Sequence, residues 1–128
     1  MTPSVSDWGG TGDGAWIQTS PRADCVVVTV GGELDILSAA RLGKALESAS
    51  AASRTGCLVI DMTHLSFIDS TGLGVLIAAQ NRAHALGDSV VLVHPPASVQ
   101  RLLLGTQLGH RFTAYDSLAG ALAALRTS

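Results

Sequence analysis

Three short apolar runs constrain the fold of this chain more than any other feature of its sequence. Residues 25–30 (CVVVTV), 57–60 (CLVI) and 90–93 (VVLV) consist almost entirely of apolar and β-branched residues. Such runs are typical of strands that are buried on both faces of a sheet, because neither face carries the polar residues that water would favour. Since helices must then cover the sheet, the runs predict an α/β fold.

Helical patterns separate these runs. After the first run, apolar residues recur with the spacing of an amphipathic helix at Leu42, Ala45, Leu46 and Ala49, and Ser38 is the predicted N-cap of that helix. Three more helices are predicted, one through residues 73–85 with a stop at Gly87, one after a cap at Ser98, and one after a cap at Ser117.

Two weaker strands complete the predicted order. Residues 15–19 and 112–115 have the character of short strands, residues 31–32 (two glycines) should end the second strand, and residues 62–68 are predicted to be irregular. The chain should therefore form a mixed β-sheet of four to five strands, covered by about four α-helices. The first two strands should be antiparallel, and strands joined through helices should be parallel.

Composition limits what this fold can do. The chain has 128 residues, 47% of them hydrophobic, and a net charge of −2, so we expect one domain without a basic surface for nucleic acid or membranes. No apolar run approaches the roughly 20 residues of a membrane helix, and no secretory signal is present, which favours a cytoplasmic protein. Residues 1–14 are mostly Gly, Ser, Thr, Asp and Pro and predict a flexible tail before a domain spanning residues 15–128.

Neither metal nor cofactor chemistry is indicated. Cys25 and Cys57 are too few for a disulfide framework and lack the spacing of a zinc site, so we expect buried, reduced thiols. The glycines match neither of the common phosphate-binding loops. The sequence therefore predicts no metal and no cofactor.

The most unusual local segment delivers Ser70 to the start of a helix. A helix N-terminus has unpaired N–H groups and partial positive charge, so an anion placed there is stabilised. Gly72 and Gly74 have no side chains to crowd an approaching protein or phosphate. Ser70 can thus be a cap, a phosphoacceptor or a nucleophile, although capping alone would explain the sequence Asp69, Ser70, Thr71.

Asp35 is a second candidate, because it follows the glycines after a predicted strand. The carboxyl ends of parallel strands meet at one sheet edge, where ligands favour binding, so Asp35 and Ser70 can lie at the same edge. The alternative is that Asp35 only forms a turn or caps the next helix. A nucleophilic Ser70 would need a general base, and the sequence assigns that role to none of the four histidines.

Three segments together carry a family signature. They are Gly-Glu-Leu-Asp at 32–35 after the valine-rich strand, Leu-Val-Ile-Asp at 58–61, and Phe-Ile-Asp-Ser-Thr-Gly-Leu-Gly at 67–74. The chain resembles a STAS domain in these segments, and more narrowly a bacterial anti-sigma factor antagonist. The resemblance covers roughly residues 15–125, at the accuracy of boundaries inferred from sequence.

The resemblance implies a partner switch controlled by phosphorylation. The unphosphorylated protein would bind an anti-sigma factor with serine kinase activity and free a sigma factor, and a serine phosphatase would restore this form after phosphorylation. Ser70 would be the phosphoacceptor, with its neighbour Thr71 as the rival. The implied partner-binding surface comprises Asp35, Asp69, Ser70, Thr71, Gly72 and Gly74.

Two alternatives remain open at this point. The first is a STAS interaction module in a scaffold, sensor or transporter complex without a sigma role. The second is a small serine hydrolase or nucleotide-binding enzyme, for which the sequence supplies neither an assigned base nor a phosphate loop. The favoured interpretation is a regulator that is not an enzyme.

Overall fold

The structure, a computed structural model, describes residues 14–22, 25–105 and 113–127. Within these ranges the chain forms six strands and four helices. In chain order they are β1 (Ala15–Pro21), β2 (Val26–Leu34), α1 (Ile36–Ala52), β3 (Cys57–Asp61), β4 (Leu65–Ile68), α2 (Ser70–Leu86), β5 (Ser89–Val93), α3 (Ala97–Gly105), β6 (Thr113–Tyr115) and α4 (Leu118–Thr127). The predicted tail, residues 1–14, lies outside the described residues except for Gly14.

The described strands form one mixed sheet. Its order is β1-β2-β3-β5-β6, and β4 pairs with β2 beside this path. β1 and β2 are antiparallel, whereas all other pairs are parallel, which confirms the predicted strand directions. β3 pairs with the first half of β2, up to Thr29, and β4 pairs with its last residues, Gly32 to Leu34. The long central strand therefore has two successive neighbours on the same side.

Apolar side chains cover both faces of the sheet. On one face, Val26, Val28 and Val30 of β2 pack into a cluster with the apolar residues of α1 and α2. On the other face, Val27 packs into a second cluster with Ala121 of α4. Because successive residues of a strand point to opposite faces, this division confirms the prediction that β2 is buried on both sides.

The irregular segment of the prediction contains the sixth strand. Residues 65–68 form β4, so the sheet has one strand more than the four to five expected. β2 also continues past Gly31 and Gly32, which were expected to end it. Its register with β4 shifts between Gly32 and Glu33, and Gly32 takes a φ of +82°. Glycine adopts that conformation readily, so the strand bulges there and goes on.

Two of the predicted helix ends are confirmed and two are wrong. Gly87, with a φ of 76°, ends α2 in the left-handed conformation as predicted, and the Gly120 N–H donates to Ser117 Oγ as expected of a cap. α1 begins earlier than predicted, because Asp35 and not Ser38 is its N-cap. α3 begins at Ala97, which places Ser98 inside the first turn instead of before it.

Three further properties concern the described residues only. Cys25 and Cys57 are buried and are not joined in a disulfide. No described helix combines the length and apolar character that crossing a membrane requires. In the same ranges, no group of three or more His, Cys, Asp or Glu side chains is arranged to hold a metal ion.

Candidate functional site

Two helices begin side by side at the carboxyl end of the sheet. Leu34, the last residue of β2, pairs with Ile68, the last residue of β4. The residues that follow, Asp35 and Asp69, are the N-caps of α1 and α2, and the Asp69 N–H donates to Leu34 O at 3.1 Å. Asp35 and Ser70 therefore share one sheet edge, as the sequence predicted, although β4 and not β3 brings Ser70 there.

Asp35 caps α1 through a reciprocal set of hydrogen bonds. Its Oδ1 accepts from the N–H groups of Leu37 at 3.0 Å and Ser38 at 3.3 Å. In return, the Asp35 N–H donates to Ser38 Oγ at 3.0 Å. This arrangement is a capping box, in which Asp35 is the N-cap and Ser38 is the third residue of the helix. Asp35 thus has the structural role that the sequence left open as an alternative to a role in partner binding.

Ser70 is the first residue of α2 and does not cap it. Asp69 does so, since its Oδ1 accepts from the Gly72 N–H at 3.0 Å. Ser70 is exposed, and no described residue forms a hydrogen bond with its hydroxyl. The hydroxyl therefore lies exposed at a helix N-terminus and makes no hydrogen bond that would stabilise the described fold. Thr71 is exposed as well, so exposure alone does not separate the two candidate acceptors.

The two glycines of the site have opposite environments. Gly72 is buried, and a Cβ there would come within 2.8 Å of Ile68 Cγ1 and 3.0 Å of Leu34 Cδ2. Its missing side chain allows α2 to pack closely on the paired strand ends, so Gly72 lies beneath the surface and not on it. Gly74 is exposed, and a Cβ there would meet no atom within 4 Å.

Three exposed apolar residues, which we call the apolar rim, lie at or next to the two helix starts, and the sequence analysis did not identify them. Ile36 and Leu37 at the start of α1 are 69% and 65% exposed, and Phe67 of β4 is 50% exposed. Ile36 and Leu37 are out of phase with the buried stripe at Leu42 and Leu46, which is the signal that marks them in the sequence. Exposed apolar side chains that cluster beside a functional group are typical of protein–protein contact sites.

We name the exposed part of this region the Ser70 surface and define it as Ile36, Leu37, Phe67, Ser70, Thr71 and Gly74. Carboxylates border it, because Glu33, Asp35 and Asp69 lie in or directly after the paired strand ends. None of the three forms a salt bridge within the described ranges. The surface therefore combines a neutral hydroxyl, apolar side chains and a negative border.

The geometry gives Ser70 no catalytic partner among the described histidines. His64 stacks near Trp16, with ring centroids 5.8 Å apart, and His84 lies in the last turn of α2, at the far end from Ser70. His94 follows β5 and donates its backbone N–H to Tyr115 O. A nucleophilic serine needs a base within hydrogen-bond reach, so these residues do not support the hydrolase alternative.

Comparison with known proteins adds independent information. The family model of the STAS domain matches residues 17–121. The anti-sigma-F factor antagonist RsfB of Mycobacterium tuberculosis is 32% identical over 114 residues, which cover 84% of this chain and 90% of RsfB. The crystal structure of an anti-sigma factor antagonist from Mycobacterium paratuberculosis has a TM-score of 0.74 at 27% identity, covering 88% of this chain and 94% of that chain.

A further structural match has been solved in two states. The unphosphorylated form of the anti-sigma factor antagonist SpoIIAA has a TM-score of 0.72 at 20% identity, covering 88% of this chain and 99% of that chain. The phosphorylated form of SpoIIAA, from Bacillus, has the same TM-score and identity and covers 86% and 99%. At this identity the likeness concerns the fold alone.

Proposed function

The chain belongs to the STAS domain family, and we propose that it is an anti-sigma factor antagonist whose unphosphorylated form binds an anti-sigma factor and so releases a sigma factor. The names of its relatives, RsfB among them, support this role. The observation that carries the proposal is the exposed Ser70 hydroxyl, which makes no hydrogen bond among the described residues and lies at the same end of the sheet as the exposed apolar rim.

Phosphorylation of Ser70 would end binding through charge. A phosphate adds about −1.5 to −2 charges at neutral pH. The N-terminus of α2 tolerates this charge, because its N–H groups and dipole favour an anion. A partner fitted to a neutral hydroxyl and apolar side chains would instead have to bury the charge, which is costly without a counter-charge. The carboxylates of Asp35 and Asp69 add to the negative potential.

The switch works at the surface and leaves the fold in place. The fold of SpoIIAA matches this chain equally well in its unphosphorylated and phosphorylated forms. In our proposal the anti-sigma factor is itself the serine kinase, and a separate serine phosphatase regenerates the binding form. The proposal further holds that the protein catalyses no reaction, needs no metal or cofactor, and acts in the cytoplasm.

Locating the phosphate on the protein tests which residue is the phosphoacceptor. The purified protein is incubated with ATP and candidate anti-sigma kinases, and the phosphate is located by mass spectrometry. We expect phosphate on Ser70, none on the Ser70→Ala variant, and unchanged incorporation in Thr71→Ala. Phosphate on Thr71 alone would transfer the role to the rival. No incorporation with any kinase encoded near the gene would favour a STAS module without a sigma role.

The charge switch is tested by calorimetry with the anti-sigma factor. Ser70→Ala should bind like the wild type, and its stability should change by only about 0.5 kcal/mol, because the hydroxyl makes no bond in the described structure. Ser70→Asp should bind about tenfold more weakly, or about 1.4 kcal/mol. Ser89→Asp adds the same charge at the exposed start of β5, the opposite end of the sheet, and should not weaken binding. Equal affinities for all these proteins would contradict the mechanism.

A further inference from the structure

The sheet end opposite to the Ser70 surface holds both cysteines of the chain. Cys25 directly precedes β2, and Cys57 begins β3. These strands are parallel neighbours in which Val26 pairs with Leu58, so the same register, extended back by one residue, aligns Cys25 with Cys57. Both side chains belong to the apolar cluster under α4. The two thiols therefore lie on the same face of the sheet, on adjacent strands.

Hydrogen bonds fix the backbone at each of the two cysteines. The Arg22 N–H donates to Cys25 O at 2.8 Å. Ser53 Oγ donates to Cys57 O at 3.0 Å and accepts from the Cys57 N–H at 3.1 Å. Adjacent strands lie about 4.8 Å apart, and disulfide-bonded cysteines have Cα atoms about 4.4–6.8 Å apart. A Cα spacing of that general size lies within the range found for disulfides.

We propose that Cys25 and Cys57 are an oxidisable dithiol that closes to an intrachain disulfide when the protein meets a peroxide. One thiolate attacks a peroxide oxygen, the O–O bond breaks, and the sulfur becomes a sulfenic acid while the other oxygen leaves as water or an alcohol. The second thiol then attacks the sulfenic sulfur, the S–S bond forms, and the hydroxyl leaves as water. Two thiols are oxidised and one peroxide is reduced.

Burial makes the reaction slow and dependent on local opening. Cys25 and Cys57 are only 2% and 6% exposed, but both lie at the end of the sheet where β2 and β3 begin. A cavity of about 520 Å³, lined by Arg22 and Arg54 among others, lies at the same end of the molecule. Oxidation should therefore accelerate in urea below the unfolding transition, where strand ends open more often.

Mass spectrometry of the full chain tests the proposal. The protein is exposed to hydrogen peroxide, alkylated with N-ethylmaleimide in denaturant, and weighed intact. We expect a monomer that has lost two hydrogens and takes up no reagent, and dithiothreitol should restore uptake at both sites. Peptide mapping without reduction should find Cys25 joined to Cys57. Cys25→Ala and Cys57→Ala keep a small apolar side chain in the cluster and should each fail to give this product.

Several outcomes would overturn the proposal. One is a wild-type protein that still takes up two molecules of reagent after exposure to peroxide. Another is a wild-type protein in which each sulfur gains oxygen at the same rate as in the single variants. That result would show that the two thiols react independently. A covalent dimer as the main product would show that the pair does not close within one chain. The peptide map decides the matter in the wild type even if a variant does not fold.

Discussion

Asp35 holds the start of α1 and also carries a charge at the edge where Ser70 lies, and two substitutions separate these roles. Asp35→Ala removes both and should cost about 0.5–2 kcal/mol of unfolding free energy, because the Leu37 and Ser38 N–H groups lose their acceptor. Asp35→Asn should keep nearly full stability, since asparagine caps as well as aspartate. Urea unfolding measures both.

Partner binding then identifies which role matters at the interface. If Asp35 contributes charge, Asp35→Asn should alter affinity for the anti-sigma factor or the phosphorylation rate while the fold stays intact. If both remain at wild-type values, Asp35 serves the fold only, and its place in the predicted partner surface is wrong.

Phe67 should be the apolar anchor of the Ser70 surface. It is half exposed, so Phe67→Thr, which places a β-branched residue with high strand propensity in β4, should cost little stability. Binding of the anti-sigma factor should weaken by about 1–2 kcal/mol, as for aromatic residues at interface centres. Leu86→Gln is the matched control, because it removes an apolar side chain that is 66% exposed at the far end of α2. Equal affinity of both variants would remove Phe67 from the interface.

Individual residues were predicted as well as local chemistry allowed. Ser70 was placed correctly at a helix start, because the residue types around it suit an N-terminus. Ser38 was taken for the cap of α1 because a serine before an apolar stripe has that appearance. The true cap, Asp35, was one of the alternatives that the sequence left open, and its reciprocal bonds with Ser38 decide between the two caps. The apolar rim was not predicted, because Ile36 and Leu37 are distant in sequence from Phe67 and only the fold brings them to the same end of the sheet.

The strands and helices with a strong hydrophobic pattern were predicted from the sequence, whereas β4, which lacks such a pattern, was not. β3 is buried at every position, whereas β4 buries only its first and last residues, Leu65 and Ile68. A pattern of four residues is too short to distinguish a strand from a helix or a loop. β4 exists because the end of β2 offers an unpaired edge where β3 has stopped. That edge depends on the bulge at Gly32, which no local pattern shows.

The glycines of the helices give a prediction at this scale. Gly74→Ala and Gly43→Ala should each stabilise the fold by about 0.5–1 kcal/mol, because alanine is the better helix former. A Cβ at 74 meets open space, and one at 43 would lie 3.8 Å from Val75 Cγ1, an ordinary contact. Gly72→Ala should instead destabilise by about 1–3 kcal/mol, since the added carbon overpacks the strand ends. Thermal unfolding measures all three.

The same variants test the partner surface. Gly74→Ala should weaken binding of the anti-sigma factor despite its higher stability, because the new methyl group projects from the Ser70 surface. Gly43→Ala, with the same helical gain on the α1–α2 contact, should bind like the wild type. An affinity of Gly74→Ala that equals that of Gly43→Ala would show that the partner does not approach α2 closely there.

At the scale of the whole molecule, the sheet separates two regions. The carboxyl ends of β2 and β4 present the Ser70 surface, and the starts of β2 and β3 hold the cysteine pair. Substitutions in the two regions should have independent effects on unfolding free energy, because distant sites without shared partners usually add. The arrangement lets the surface change its charge while the buried valines of the central strands keep the fold.

The last prediction concerns where the folded domain begins. The Gly14 carbonyl accepts from the Glu33 N–H at 3.1 Å, and Arg41 Nη2 donates to Ala15 O at 3.2 Å. Deleting residues 1–13 keeps both bonds, so Tm should stay within about 2 °C of the full chain. Deleting residues 1–16 also removes Trp16, whose ring packs over Gly31, and should lower Tm far more. If both deletions lower Tm by a similar amount, residues 1–13 pack on the domain. If the shorter deletion leaves the affinity for the anti-sigma factor unchanged, these residues lie outside the interface as well.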